Sequence, residues 1–173
     1  MIGNMKKLRF FAIGVMFILA FTNVNAQKEK FHSLFIYNFS KYIKWPDDQP
    51  ADKFVIGVFG SSEMAKILET TAESKKVNGA TIIVKQFNTP QEIQDCQILY
   101  VAQSESSKIG EIVSNTANRS TLIVTDKPGL AKKGGVINFI EQEGKIKFEL
   151  NQHDAESRGL KVSSSLASLA VIV

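Results

Sequence analysis

Residues 27–173 predict an α/β domain: a three-layer α/β/α sandwich on a mostly parallel sheet, with an antiparallel edge hairpin near residues 135–150. Three observations carry this. Short unbroken apolar runs, such as Phe54–Phe59 and Gln97–Ala102, suit strands buried on both faces. Up to Thr125 such runs alternate strictly with helical segments, as right-handed parallel crossovers require. After Thr125 the rhythm changes to two runs, Gly135–Ile140 and Lys145–Leu150, joined by Glu141-Gln142-Glu143-Gly144. In the second run Ile146, Phe148 and Leu150 alternate with Lys145, Lys147 and Glu149, the pattern of a half-exposed antiparallel strand.

The elements follow in order. Lys28–Lys44 reads as a helix, with Phe31, Leu34, Phe35, Phe39, Tyr42 and Ile43 near one face at 3.6-residue spacing. Trp45-Pro46 ends it, because the residue before a proline is pushed out of helical geometry. Asp47–Lys53 is a polar loop. Phe54–Phe59 is the first strand, closed by Gly60, and Ser61 or Ser62 caps a helix through Ser74. Val77-Asn78-Gly79 is a turn or short bridge, and Ala80–Phe87 is the second strand. Thr89-Pro90 opens a helix of one or two turns, with proline just inside its start. Gln97–Ala102 is the third strand, Ser104–Ala117 the third crossover helix and Ser120–Thr125 the fourth strand. Beyond the hairpin, Asn151 caps a short helix that Gly159 stops, Leu160-Lys161-Val162 is a last short strand, and a terminal helix runs from Ser163 or Ser164 through Ala170. One domain accounts for residues 27–173.

Residues 1–26 read as a cleaved secretory signal. Lys6, Lys7 and Arg9 form a basic head, Phe10–Phe21 is an uncharged apolar run, and Val24-Asn25-Ala26 supplies the small residues of a cleavage site. The run is short of the roughly 20 residues that a membrane span needs. The expected location is the periplasm, with no lipid-acceptor cysteine behind the apolar run. ATP, GTP and NAD are scarce there and DNA is absent. The formal net charge of +4 comes mostly from the leader, so the mature chain is nearly neutral and its charge gives no argument for nucleic acid. Cys96 is the single cysteine and excludes an intrachain disulfide; beside an apolar run it reads as a buried structural thiol.

Catalytic equipment does not assemble. The two histidines, His32 and His153, lack the converging ligands of a zinc site. No serine sits in a G-x-S-x-G elbow, and Phe59-Gly60-Ser61-Ser62 has one glycine where a dinucleotide fold needs three. Ser163-Ser164-Ser165 is explained by helix capping. No enzyme activity, metal or cofactor is expected. Asn138, within an apolar strand, needs a hydrogen-bond partner; the first helix, at Asn38, is the expected one.

Three blocks resemble the YfiR family of periplasmic regulators: Tyr37-Asn38-Phe39-Ser40-Lys41-Tyr42-Ile43-Lys44-Trp45-Pro46; Gly134–Ile140 running on through Gly144–Asn151; and Gly159-Leu160-Lys161-Val162-Ser163-Ser164-Ser165-Leu166. Together they span about Phe31–Ala170. The resemblance implies a soluble protein that binds and represses the periplasmic sensor domain of an inner-membrane signalling protein, a diguanylate cyclase or a sensor histidine kinase. It also implies an outer-membrane lipoprotein as a further partner and a capacity to form homodimers. The family's best-known branch carries disulfide pairs, which a chain with Cys96 alone lacks.

Aromatic and cationic residues at the end of the first helix, Tyr37, Lys41 and Trp45, are the candidate partner-binding residues. The alternative is a periplasmic small-ligand binder with a pocket beyond the carboxyl ends of the parallel strands, at Gly60, Ser61, Ser62, Gln103 and Ser104. A hydrolase with an unrecognised site is the second alternative.

Overall fold

A computed structural model describes residues 27–46 and 52–173. The expected leader, residues 1–26, and most of the polar loop, residues 47–51, lie outside them. Helix α1 (27–42) leads into β1 (Ile43–Lys44). Then come β2 (Lys53–Phe59), α2 (Ser62–Ser74), β3 (Lys76–Val77), β4 (Ala80–Phe87) and β5 (Ile98–Val101). They are followed by α3 (Ile109–Asn115), β6 (Leu122–Thr125), β7 (Ile137–Gln142), β8 (Lys145–Leu150) and α4 (Gln152–Ser157). Strand β9 (Lys161–Val162), α5 (Ser164–Ala167) and β10 (Val171–Ile172) complete the chain.

The eight-stranded sheet runs β10-β8-β7-β6-β5-β2-β4-β3. Strands β4, β2, β5, β6 and β7 are parallel neighbours, while β3 and β8 are antiparallel to β4 and β7. The chain moves from β2 outward to β4, then back across β2 to β5, so the order reverses between β2 and β5. In open α/β sheets this reversal opens a crevice at the carboxyl ends of the strands.

Alternation along the strands divides the core in two. Phe54, Ile56, Val58, Tyr100 and Val124 pack with Ile36 and Phe39 of α1 and Met64 and Leu68 of α2. Phe59, Leu99, Val101 and Ile123 form the other face with Ile109 and Ile112 of α3. Each such side chain, fully buried, is worth about 1.5–3 kcal/mol. Gly57 lets the second face close: a Cβ there would stand 2.8 Å from a Phe87 ring carbon and 3.2 Å from Cys96 Sγ. Cys96 is buried, and burial pushes its thiol up to about 12.

Local chemistry sets the ends. Ser61, Asn151 and Ser163 each cap a helix by accepting from the backbone N–H three residues on. The β7–β8 hairpin turns on Glu143-Gly144 and the β3–β4 hairpin on Asn78-Gly79, both pairs at positive φ as a two-residue turn of primed type requires. The expected Ser104–Ala117 helix begins as a 3-10 segment, Gln103–Lys108, before α3.

Three expectations change. The first helix stops before Ile43-Lys44, which instead pair antiparallel with Lys161-Val162 of β9, outside the main sheet. The terminal helix ends at Ala167; Val171-Ile172 pair parallel with Glu149-Leu150, so β10 lies outside β8. Two β-branched residues beside an open strand edge satisfy more backbone groups there than in a frayed helix end. Asn138 bonds not to α1 but to its own sheet: it accepts from Thr125 Oγ1 at 2.8 Å and donates to Glu149 Oε2 at 2.8 Å.

Candidate functional site

The buried face of α1 is His32, Ser33, Ile36, Phe39 and Ser40, not the all-apolar face expected. The serines allow this. Ser33 Oγ donates to Lys30 O at 2.8 Å and Ser40 Oγ to Tyr37 O at 2.6 Å, so neither brings an unmet polar group inward. The register is then fixed by the hairpin rings. His32 stacks flat on Phe139, with centroids 3.9 Å apart and planes at 5°. Phe39 meets Phe148 edge-on at 5.3 Å, and Phe35 lies 6.0 Å from Phe148. Such pairs add about 0.5–1.5 kcal/mol beyond area burial.

This register turns Phe31, Leu34 and Tyr42 outward at 47%, 55% and 47% exposure. Among the described residues the other large exposed hydrophobics are Leu169, Val171, Ile172 and Val173. Two grooves run along the seam between α1 and the hairpin. One, of about 360 Å³, is lined by Lys28, Phe31, His32, Phe139, Glu141 and Ile146 among others. The second, of about 240 Å³, brings Phe35, Tyr42 and Phe148 together with Leu166 and Leu169. The exposed helix residues and the chain's last segment therefore share one surface.

The first turns of α1 also cover the carboxyl ends of the parallel strands, where a polar cluster is buried. Ser61 Oγ donates to Glu29 Oε1 at 2.7 Å. Tyr100 OH donates to Asp126 Oδ2 at 3.0 Å, and Lys28 Nζ reaches the same oxygen at 3.4 Å. Glu29 Oε2, His32 Nδ1 and Asp126 Oδ1 are buried without a hydrogen-bond partner. Burial raises the Glu29 carboxyl above its ordinary range, against the lowering bond from Ser61. Burial, assisted by Lys28, depresses His32 to about 3. Burial first, then Asp126, raises the Tyr100 phenol far above its usual value. No group of three or more His, Cys, Asp or Glu among the described residues is placed to hold a metal ion. Ser61 Oγ donates to Glu29 and accepts from the Met64 N–H at 3.1 Å as the cap of α2.

The residues singled out in the sequence fall in two places. Tyr37, half-buried, donates through its hydroxyl to Lys76 O at 3.4 Å, and Lys41 Nζ lies 4.4 Å from the centre of its ring. Trp45 Nε1 donates to Gln97 O at 3.1 Å and its ring meets Phe54 edge-on at 5.1 Å. Tyr37 thus faces the β3 side of the sheet, whereas Phe35 and Tyr42 face the β8 side. The structure does not bring Tyr37, Lys41 and Trp45 into the grooved seam.

Gly60, Ser61, Ser62, Gln103 and Ser104 do gather at the carboxyl ends of β2 and β5. Of these five, none lines either groove. Gly60 takes φ +84°, and a Cβ there would overlap the Glu105 side chain. Sequence reasoning missed Phe31, Leu34 and Tyr42 as outward residues, and the Glu29–His32–Tyr100–Asp126 cluster. The available signal was the position of Asp126, directly past the end of a parallel strand.

An open, mostly parallel sheet with an aromatic seam and a strand-end crevice filled by the chain's own side chains defines a small α/β domain. The model for YfiR/HmsC-like proteins matches residues 29–171, and the chain belongs to that family. Among solved structures, the chain is similar to an ABC domain from Streptococcus pneumonia in complex with L-Trp, with a TM-score of 0.51 and 15% identity. The match covers 69% of this chain and 55% of that one, so this chain spans little more than half its length, and the likeness is one of fold. No curated protein matches the chain. Family membership is consistent with a periplasmic regulator.

Proposed function

We propose that the protein is a periplasmic regulator. It binds the outward-facing sensor domain of an inner-membrane signalling protein, a diguanylate cyclase or a sensor histidine kinase, and holds it inactive. The observation that carries the reading is the concentration of large exposed hydrophobics on α1 and residues 169–173, meeting in one groove at Tyr42 and Leu169. Contiguous exposed apolar surface of this kind marks interaction sites, and aromatic anchors dominate interface energetics. The polar cluster, by contrast, is filled by the protein's own side chains, which argues against an enzyme.

The test is site-specific photo-crosslinking in cells that make the full chain. A photoreactive residue replaces Leu34 or Tyr42, both exposed on α1, or Glu69, exposed on α2, as the control. Capture of one inner-membrane sensor from positions 34 and 42, and not from 69, supports the reading. Equal capture from all three, or none, refutes it. Crosslinks only to a second copy identify the seam as a homodimer surface instead. An absent crosslink with a clear thermal shift from a metabolite favours the small-ligand reading.

A further inference from the structure

We propose that the first two turns of α1 are an acid-releasable latch: they stay docked over the carboxyl ends of β2, β5 and β6 while His32 is neutral, and lift away when it takes a proton.

The geometry singles out His32. It is 1% exposed, stacked on Phe139 and tilted against Tyr100 at 6.4 Å, and its Nδ1 is buried without a partner. A neutral imidazole sits in such a place at small cost. An imidazolium brings a buried charge and a buried N–H donor with nothing to accept it. The surrounding groups do not compensate. Lys28, on the same helix, repels the added charge. Asp126, past β6, receives Lys28 and the Tyr100 hydroxyl from β5 on one oxygen, and its other oxygen, though unpartnered, makes no bond to His32. Glu29 receives Ser61 on one oxygen, and its other oxygen likewise makes no bond to His32. Glu141, which lines the same groove from β7, is exposed.

Besides that stack, the turns that carry His32 are held by two polar contacts, Ser61–Glu29 at 2.7 Å and Lys28–Asp126 at 3.4 Å, the latter from a lysine side chain 41% exposed. The rest of the helix is anchored by Ile36 and Phe39 in the core, so what yields is the start of α1.

The sign follows from the depressed His32. The open form takes its proton near the ordinary 6.5 and the docked form only near 3, so docking is fully stable above 6.5 and weakens as pH falls. At pH 5 the opening equilibrium is raised about 25-fold over that at pH 7. Glu29 acts in the opposite sense: raised above 4.5, it takes its proton first in the docked form, so further acid recovers part of the loss. Because Phe31 and Leu34 ride on these turns, release removes both from the proposed binding face. That consequence rests on the reading above; the latch itself does not.

Hydrogen exchange tests it without any partner. Protection factors at pH 7 and pH 5 are compared for amides of residues 31–35 and for those of β5 and β6. The expected result is a loss of about tenfold or more confined to α1, absent in His32→Phe, which keeps the ring on Phe139 and removes the titrating group. An equal loss in His32→Phe, a loss shared by β5 and β6, no loss, or tighter protection at pH 5 overturns the proposal. An NMR titration of the His32 ring in the native protein stands independently. His32 titrating at an ordinary midpoint while α1 keeps its protection overturns it as well.

Discussion

Replacing Trp45 by phenylalanine removes one donor and keeps a ring; replacing it by alanine removes both. The indole N–H bonds Gln97 O, but that carbonyl also accepts the Leu122 N–H at 2.8 Å, so deleting the indole leaves no orphaned acceptor. The phenylalanine variant therefore loses one net hydrogen bond, about 1 kcal/mol. The alanine variant also loses the edge-on contact with Phe54, about 0.5–1.5 kcal/mol. It further loses the packing of a half-buried ring, which brings the total to roughly 3 kcal/mol. In a domain of this size each kcal/mol shifts Tm by about 2–4 °C, so the expected losses are about 3 °C for phenylalanine and 6–12 °C for alanine. Urea unfolding followed by far-ultraviolet circular dichroism measures them, since either change deletes the only tryptophan. An alanine variant within about 0.5 kcal/mol of the native protein would refute a structural role for Trp45.

Asn138→Ala removes both bonds of a fully buried amide and leaves the Thr125 hydroxyl with only Ile137 O at 3.4 Å; a loss of about 2–4 kcal/mol in the same unfolding assay is expected. An unchanged midpoint would show that the amide network contributes nothing net. Cys96, with its thiol pushed up to about 12 and no exposed path, is expected to resist maleimide in the native protein and to label fully in urea. Rapid native labelling would contradict the burial.

Most of the strands and α2 were legible because their signals are local: apolar runs closed by Gly60, a capping Ser61, an Asn78-Gly79 turn. What was not legible depends on residues far apart in sequence. The buried face of α1 could not be read from hydrophobicity, since Ser33 and Ser40 enter the core and Phe31 and Leu34 do not. Only Phe139 and Phe148, contributed by a distant hairpin, decide the register. The fate of Val171-Ile172 likewise depends on the free edge of β8, and the partners of Asn138 on the side-by-side arrangement of β6, β7 and β8. The candidate site was read in part. The switch-point position was correct as topology, but the side chains that fill it, Glu29 and His32, arrive from a helix outside the parallel repeat.

The stacking of His32 on Phe139 joins two segments with most of the chain between them. A contact of such long range closes a large loop, and in folding it comes late. Until β7 and β8 form, Phe35 and Phe39 have no hairpin rings to meet, and α1 is a sticky amphipathic segment on an unfinished sheet. The grooved seam therefore exists only once the two distant segments have met, and a half-folded copy lacks it.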